Sequence, residues 1–72
     1  MIEHFIPRAS TNIAMATYDS DAHVLTVEFV QGQSYSYSGV PQSVFLGLQN
    51  ASSPGSYFYR QIRERYPYEE IA

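Results

Sequence analysis

The stretch from His23 to Tyr37 leaves this chain few folds to choose from. Leu25, Val27 and Phe29 alternate with Thr26 and Glu28, the period of a half-buried strand. After Gln31-Gly32 the alternation resumes with Tyr35 and Tyr37 set among serines, so the centre of the chain reads as a β-hairpin. The turn then decides where the two tyrosines point, because a shift of one residue moves every side chain to the other face.

Two registers are available. A loop of Gln31-Gly32 pairs Glu28 with Tyr35 and Thr26 with Tyr37, and places the tyrosines on the polar face as an exposed stacking platform. A loop of Val30-Gln31-Gly32, with Gly32 in the left-handed position of a bulge, pairs Val27 with Tyr35 and Leu25 with Tyr37. Binary patterning favours the second, which gathers the large residues on one side and Thr26, Glu28, Ser34 and Ser36 on the other. Tyr35 and Tyr37 are then core residues with phenol tips at the rim.

The flanking segments complete an α+β reading. A strand is expected from Asn12 to Tyr18, closed by the turn-rich Asp19-Ser20-Asp21. Residues 1–9 form a lead-in in which His4-Phe5-Ile6, ended by Pro7, reads as an edge strand. Beyond Gly39, Pro41 suits the first turn of a helix running to Asn50, with Val44, Phe45, Leu48 and Ala51 on one face. Gly47 weakens that helix or lets something approach it. Ser53 as N-cap and Pro54 as first residue open a second helix, expected to run to Tyr66 and stop before Pro67. Its buried stripe is Phe58, Ile62 and either Tyr59 or Tyr66, with Arg60 and Glu64 paired outside. Tyr68 and Ile71 are expected to dock the tail. Residues 10–72 thus make one domain, an antiparallel meander of three strands, or four with the edge strand, followed by two helices packed on one face.

Composition narrows the function. A chain of 72 residues has room for one core and little for an enclosed active site. With 44% hydrophobic residues, seven tyrosines and no cysteine, it reads as a packed globule without disulfides or zinc thiolates. The start lacks the features of a signal peptide and no stretch could span a bilayer, so a complete cytoplasmic protein is expected. The net charge of −3 disfavours binding of duplex DNA through many phosphates. All positive side chains are nevertheless arginine, and Arg60, Arg63 and Arg65 fall close together.

Three candidate sites follow. Asp19-Ser20-Asp21-Ala22-His23 offers carboxylates and an imidazole, but lacks the glycine and closing glutamate of a calcium loop; a polar hairpin turn is preferred and no metal is expected. No serine sits in a glycine-flanked elbow beside His4 or His23, so neither catalysis nor a cofactor is expected. The second helix is the best candidate. Arg60 and Arg63 could grip phosphate or carboxylate, with Tyr57, Tyr59 or Tyr66 to stack beside them. Its start, near Ser53 and Gly55, offers free amides to an anion.

Taken in order, Ser10-Thr11-Asn12-Ile13, Tyr18-Asp19, Leu25-x-Val27-x-Phe29 with Gly32, Tyr35-x-Tyr37, Val40-Pro41, and Ala51-x-Ser53-x-Gly55-x-Tyr57-Phe58 with Ile62 and Tyr66 resemble the KTSC domain. That family occurs at the C-terminus of some lysyl-tRNA synthetases and as small free-standing proteins of bacteria and phages. The resemblance covers Ser10 to Ile71 and implies an association with RNA. Glu69 and Glu70 depart from the basic residues common in the family's tail. The expectation is a non-catalytic module binding RNA or a nucleotide through Arg60, Arg63 and neighbouring tyrosines. The alternative is a protein-interaction or inhibitor module, monomeric or homodimeric.

Overall fold

The computed structural model describes residues 1–8 and 12–72. Ser10 and Thr11, which open the resemblance, lie outside the described residues. The chain forms β1 (Ile2–Phe5), β2 (Ile13–Asp19), β3 (Val24–Phe29), β4 (Ser34–Ser38), α1 (Gln42–Asn50), α2 (Pro54–Gln61) and β5 (Tyr68–Glu70). The strands make one antiparallel sheet in the order β1-β2-β3-β4-β5. The edge strand expected at His4–Ile6 begins earlier, at Ile2. The tail supplies a fifth strand that the expectation of three or four did not include.

The central hairpin adopts the register that patterning favours, with Val27 opposite Tyr35 and Leu25 opposite Tyr37. Gly32 has φ 106°, where a side chain would be strained, and its N–H donates to the Phe29 carbonyl at 2.9 Å. The Phe29 N–H donates to the Gln33 carbonyl at 2.8 Å and closes the loop. A bulge between Ile13 and Met15 keeps Ile13, Ala16 and Tyr18 all in the core.

Both helices lie on the face that carries Leu25, Val27 and Tyr37. Phe45, Leu48, Phe58 and Ile62 close the core over it, all 2% exposed or less. Tyr18 stacks on Phe45 with ring centroids 5.0 Å apart and donates its hydroxyl to the Val40 carbonyl at 2.6 Å. Pro41 stands one residue before α1, at its N-cap. Gly47 answers the question its sequence position raised: a Cβ there would overlap the Tyr57 hydroxyl and lie 2.7 Å from Cζ, so the glycine lets α2 approach α1.

The second helix is shorter than expected. It ends at Gln61, and the Phe58 carbonyl accepts the N–H groups of both Ile62 and Arg63 at 3.0 and 2.9 Å. Continuing to Tyr66 would carry the chain roughly 7 Å further along the axis at 1.5 Å per residue. Tyr68 would then have to pair with Tyr37 after a single intervening residue. The chain instead unwinds at Ile62, whose side chain is fully buried, and turns back toward the sheet.

Candidate functional site

The return of the chain toward β4 opens a groove of about 890 Å³ between the hairpin turn and the segment after α2. Gln31 and Gln33 of the turn form one end; Tyr59, Arg63 and Tyr66 form the helical side; Tyr35, Tyr37 and Tyr68 form the sheet side. The sheet positions follow from register, since Tyr37 stands opposite Tyr68 and Tyr35 opposite Glu70, all on the helix-bearing face. Asn12, Phe29, Val30, Phe58, Glu64 and Pro67 also line it.

The rings form a connected set. Tyr68 meets Tyr35 edge-on at 5.8 Å and Tyr37 at 5.7 Å, while Phe58 bridges Tyr37 at 5.5 Å and Tyr59 at 5.9 Å. The floor is buried and the walls are accessible: Tyr37 is 3% exposed, against 48% for Tyr59 and 62% for Tyr68. Burial pushes the Tyr37 phenol up to about 12, with Tyr35 and Tyr68 adding to the effect and the Arg63 charge opposing it. Tyr37 therefore stays a neutral hydroxyl at physiological pH.

Arg63 lies over the Tyr59 ring, its guanidinium carbon 5.1 Å from the centroid. Such a contact contributes about 0.5–1 kcal/mol at an exposed site, enough to orient the side chain while leaving its donors free for a ligand. Arg63 is the cation of the groove and Glu64 its neighbouring anion.

The helix end separates residues that the sequence grouped. Arg60 is turned away from the groove lining, and its Nε donates to the Ser56 carbonyl at 3.3 Å. The expected ion pair between Arg60 and Glu64 is not formed, because Glu64 lies past the helix end and no longer sits one turn beyond Arg60. Arg65 donates to the Arg60 carbonyl at 3.1 Å. Tyr57 packs against Gly47 on the α1 side. The Ser53 hydroxyl oxygen accepts the Ser56 N–H at 3.4 Å, so this amide of the helix start is spent on its cap; Ser53 and Gly55 lie outside the groove. Of the proposed ligand residues, Tyr35, Tyr37, Tyr59, Arg63 and Tyr66 come together, and Arg60, Tyr57, Ser53 and Gly55 do not.

Sequence reasoning missed Tyr68 and the two glutamines as groove residues. Pro67 followed by Tyr68 was the available signal, because a helix stop leaves an extended aromatic free to return to the sheet. In the β2–β3 turn the Asp19 carboxylate accepts the Asp21 and Ala22 N–H groups at 3.0 and 3.3 Å, and His23 has φ 56°. Among the described residues, no three His, Cys, Asp or Glu side chains are grouped to hold a metal ion. No helix is long and apolar enough to cross a membrane among them.

A five-stranded antiparallel sheet with a helix pair on one face and an aromatic groove at one side defines a class of small α+β domain. The family model of the KTSC domain matches residues 9–66. The chain belongs to the KTSC domain family. It is 40% identical over 55 residues to a lysine–tRNA ligase of Trichormus variabilis, covering 76% of this chain and 10% of that protein. A lysine–tRNA ligase of Nostoc punctiforme is 35% identical over 60 residues, covering 83% of this chain and 11% of that one. The chain thus spans about a tenth of the length of these curated relatives. The crystal structure of a KTSC domain protein from Yersinia pestis superposes over 100% of both chains with a TM-score of 0.88 and 27% identity.

Proposed function

We propose that this chain is a non-catalytic binding module that takes an unpaired nucleotide, of RNA or free in solution, in the tyrosine groove. The supporting observation is that Arg63 and the rings of Tyr59, Tyr66 and Tyr68 converge on one open groove with two glutamine amides at its end. Tyrosine rings stack on a base, amides hydrogen-bond its edge, and Arg63 pairs with one phosphate. The similarity to lysine–tRNA ligases, proteins that act on tRNA, is consistent with this chemistry.

With Arg63 as the groove's cation, binding should depend on salt only weakly, with a slope near −0.7 in log K against log salt for one single-strand phosphate. The test is fluorescence anisotropy with a short single-stranded RNA, alongside calorimetry with AMP, across a salt series. Tyr68→Ala should weaken binding about 5- to 150-fold, the equivalent of 1–3 kcal/mol for a stacked base. Arg63→Ala should flatten the salt slope. Binding that ignores both substitutions, or a slope requiring many phosphates, would refute the reading.

A further inference from the structure

The two outer strands of the sheet are finished differently. β5 begins after Pro67 and carries Glu69 and Glu70, features that discourage another strand from adding to an edge. β1 also holds a carboxylate, Glu3, and is followed by Pro7, but Ile2, His4 and Ile6, whose main-chain groups face outward, carry no carboxylate. Ile2 is 53% exposed and Ile6, just past the strand, 68%. The Ser20 N–H donates to the Met1 carbonyl at 3.0 Å, in the same ladder that pairs Glu3 with Tyr18 and Phe5 with Ala16. In an antiparallel ladder, bonded and non-bonded pairs alternate, so Ile2, His4 and, continuing the alternation, Ile6 turn their main-chain groups away from β2.

We propose that β1 is the interface of a homodimer, formed by antiparallel pairing of this edge with the same edge of a second copy. A two-fold axis perpendicular to the sheet keeps both helix layers on one side and requires opposed residues to lie on the same face. Centred on His4, the pairing sets Ile2 opposite Ile6 of the second copy and His4 opposite its counterpart. Every outward N–H and carbonyl of positions 2, 4 and 6 then finds a partner. The exposed isoleucines gain apolar neighbours on the face not covered by helices. Centring on Glu3 would oppose two carboxylates, and centring on Phe5 would put Ile2 opposite Arg8. The His4-centred register is the one that uses all three outward positions without either conflict. The result is a continuous ten-stranded sheet, twice the five strands of one copy.

The interface is short, so association is weak and is read at high protein concentration. Sedimentation equilibrium from about 10 μM to about 1 mM should show the mass rising toward the dimer. Ile6→Lys places a charge on the edge, and His4→Pro removes an N–H that faces away from β2; each should raise the dimer dissociation constant about tenfold or more with an unchanged circular dichroism spectrum. Amide exchange in the unmodified chain gives an independent reading: Ile2, His4 and Ile6 should become slower as concentration rises, and Glu3 and Phe5 should not. A mass that stays monomeric at about 1 mM, or a dimer indifferent to both substitutions, overturns the proposal. Exchange that slows equally at all five amides overturns it too.

Discussion

Tyr18→Phe removes one hydrogen bond and almost nothing else. Tyr18 is fully buried, and its ring stacks on Phe45 with planes 16° apart, a contact that phenylalanine keeps. Its hydroxyl donates to the Val40 carbonyl at 2.6 Å, while the Val40 N–H donates to the His23 carbonyl at 2.9 Å. Both main-chain groups of Val40 are thus held, the carbonyl by Tyr18 of β2 and the N–H by the turn before β3. The phenol is pushed up by burial first, then by the Glu3 and Asp19 charges, as expected of a hydroxyl held in an apolar site. Substitution leaves a buried carbonyl without its donor, which costs roughly 1–3 kcal/mol. A domain of this size loses about 4–8 °C in Tm per kcal/mol, so a central value of about 2 kcal/mol lowers Tm by about 8–16 °C. Thermal melts and urea titrations monitored by circular dichroism measure this, with the urea m value expected to stay constant. A Tm within about 2 °C of the unmodified chain would refute the argument, because it would mean that this bond does not hold the strand-to-helix connection.

Two further perturbations test the packing. Removing a helix-interior glycine gains about 0.8–1.0 kcal/mol from propensity, but overlap with a packed ring costs about 1–3 kcal/mol. Gly47→Ala should therefore destabilise the unmodified chain and stabilise one that already carries Tyr57→Ala; additivity within about 0.5 kcal/mol in urea would show that the ring is not what excludes the methyl group. Tyrosinate absorbance on alkaline titration should include one group ionising at about 12, absent in Tyr37→Phe. Because this value lies above the ordinary 10.0, the folded state keeps the proton longer than the unfolded chain; stability holds below pH 10 and falls as pH rises toward 12. Stability rising with pH in that window would contradict the assignment.

The hairpin register was legible because three local signals agree: alternation on both strands, a glycine at the one place a left-handed residue is needed, and two bulky aromatics that turn toward the core only in that register, Tyr37 buried and Tyr35 partly so. The helices were legible at their starts, where Pro41, Ser53 and Pro54 have strong positional preferences. The end of α2 was not. Pro67 sets the furthest point a helix can reach, while the actual end is set by where Ile62 must be buried and where Tyr68 must pair. Neither requirement is written in neighbouring residues. β5 was hidden for a related reason: its three residues are all exposed, and apart from the ring contacts of Tyr68 its placement rests on main-chain hydrogen bonds such as Ser38 N–H to the Pro67 carbonyl at 3.0 Å. Nearly any sequence without proline permits such bonds, so Tyr-Glu-Glu carries little trace of them.

The early end of α2 is also what turns an arginine-rich helix into a groove. On a continuous helix Arg60 and Arg63 would be neighbours on one face, and with Tyr59 they would form a convex, solvated surface. Unwinding at Ile62 instead leaves Arg60 on the helix, bonded to its own backbone, and sends Arg63 over Tyr59 to face the rings of β4 and β5. One cation facing several tyrosines has different chemistry from several cations on a convex face: it can fix the orientation of one phosphate while the rings and amides supply most of the contact area. An acidic chain can bind a nucleotide on those terms. The charge of Glu64 beside Arg63 and of Glu70 opposite Tyr35 works against accumulation of further phosphates. If the groove takes a nucleotide as proposed, the free energy of binding has to come from stacking, and a long polyanion should gain little over a short strand that fills the groove.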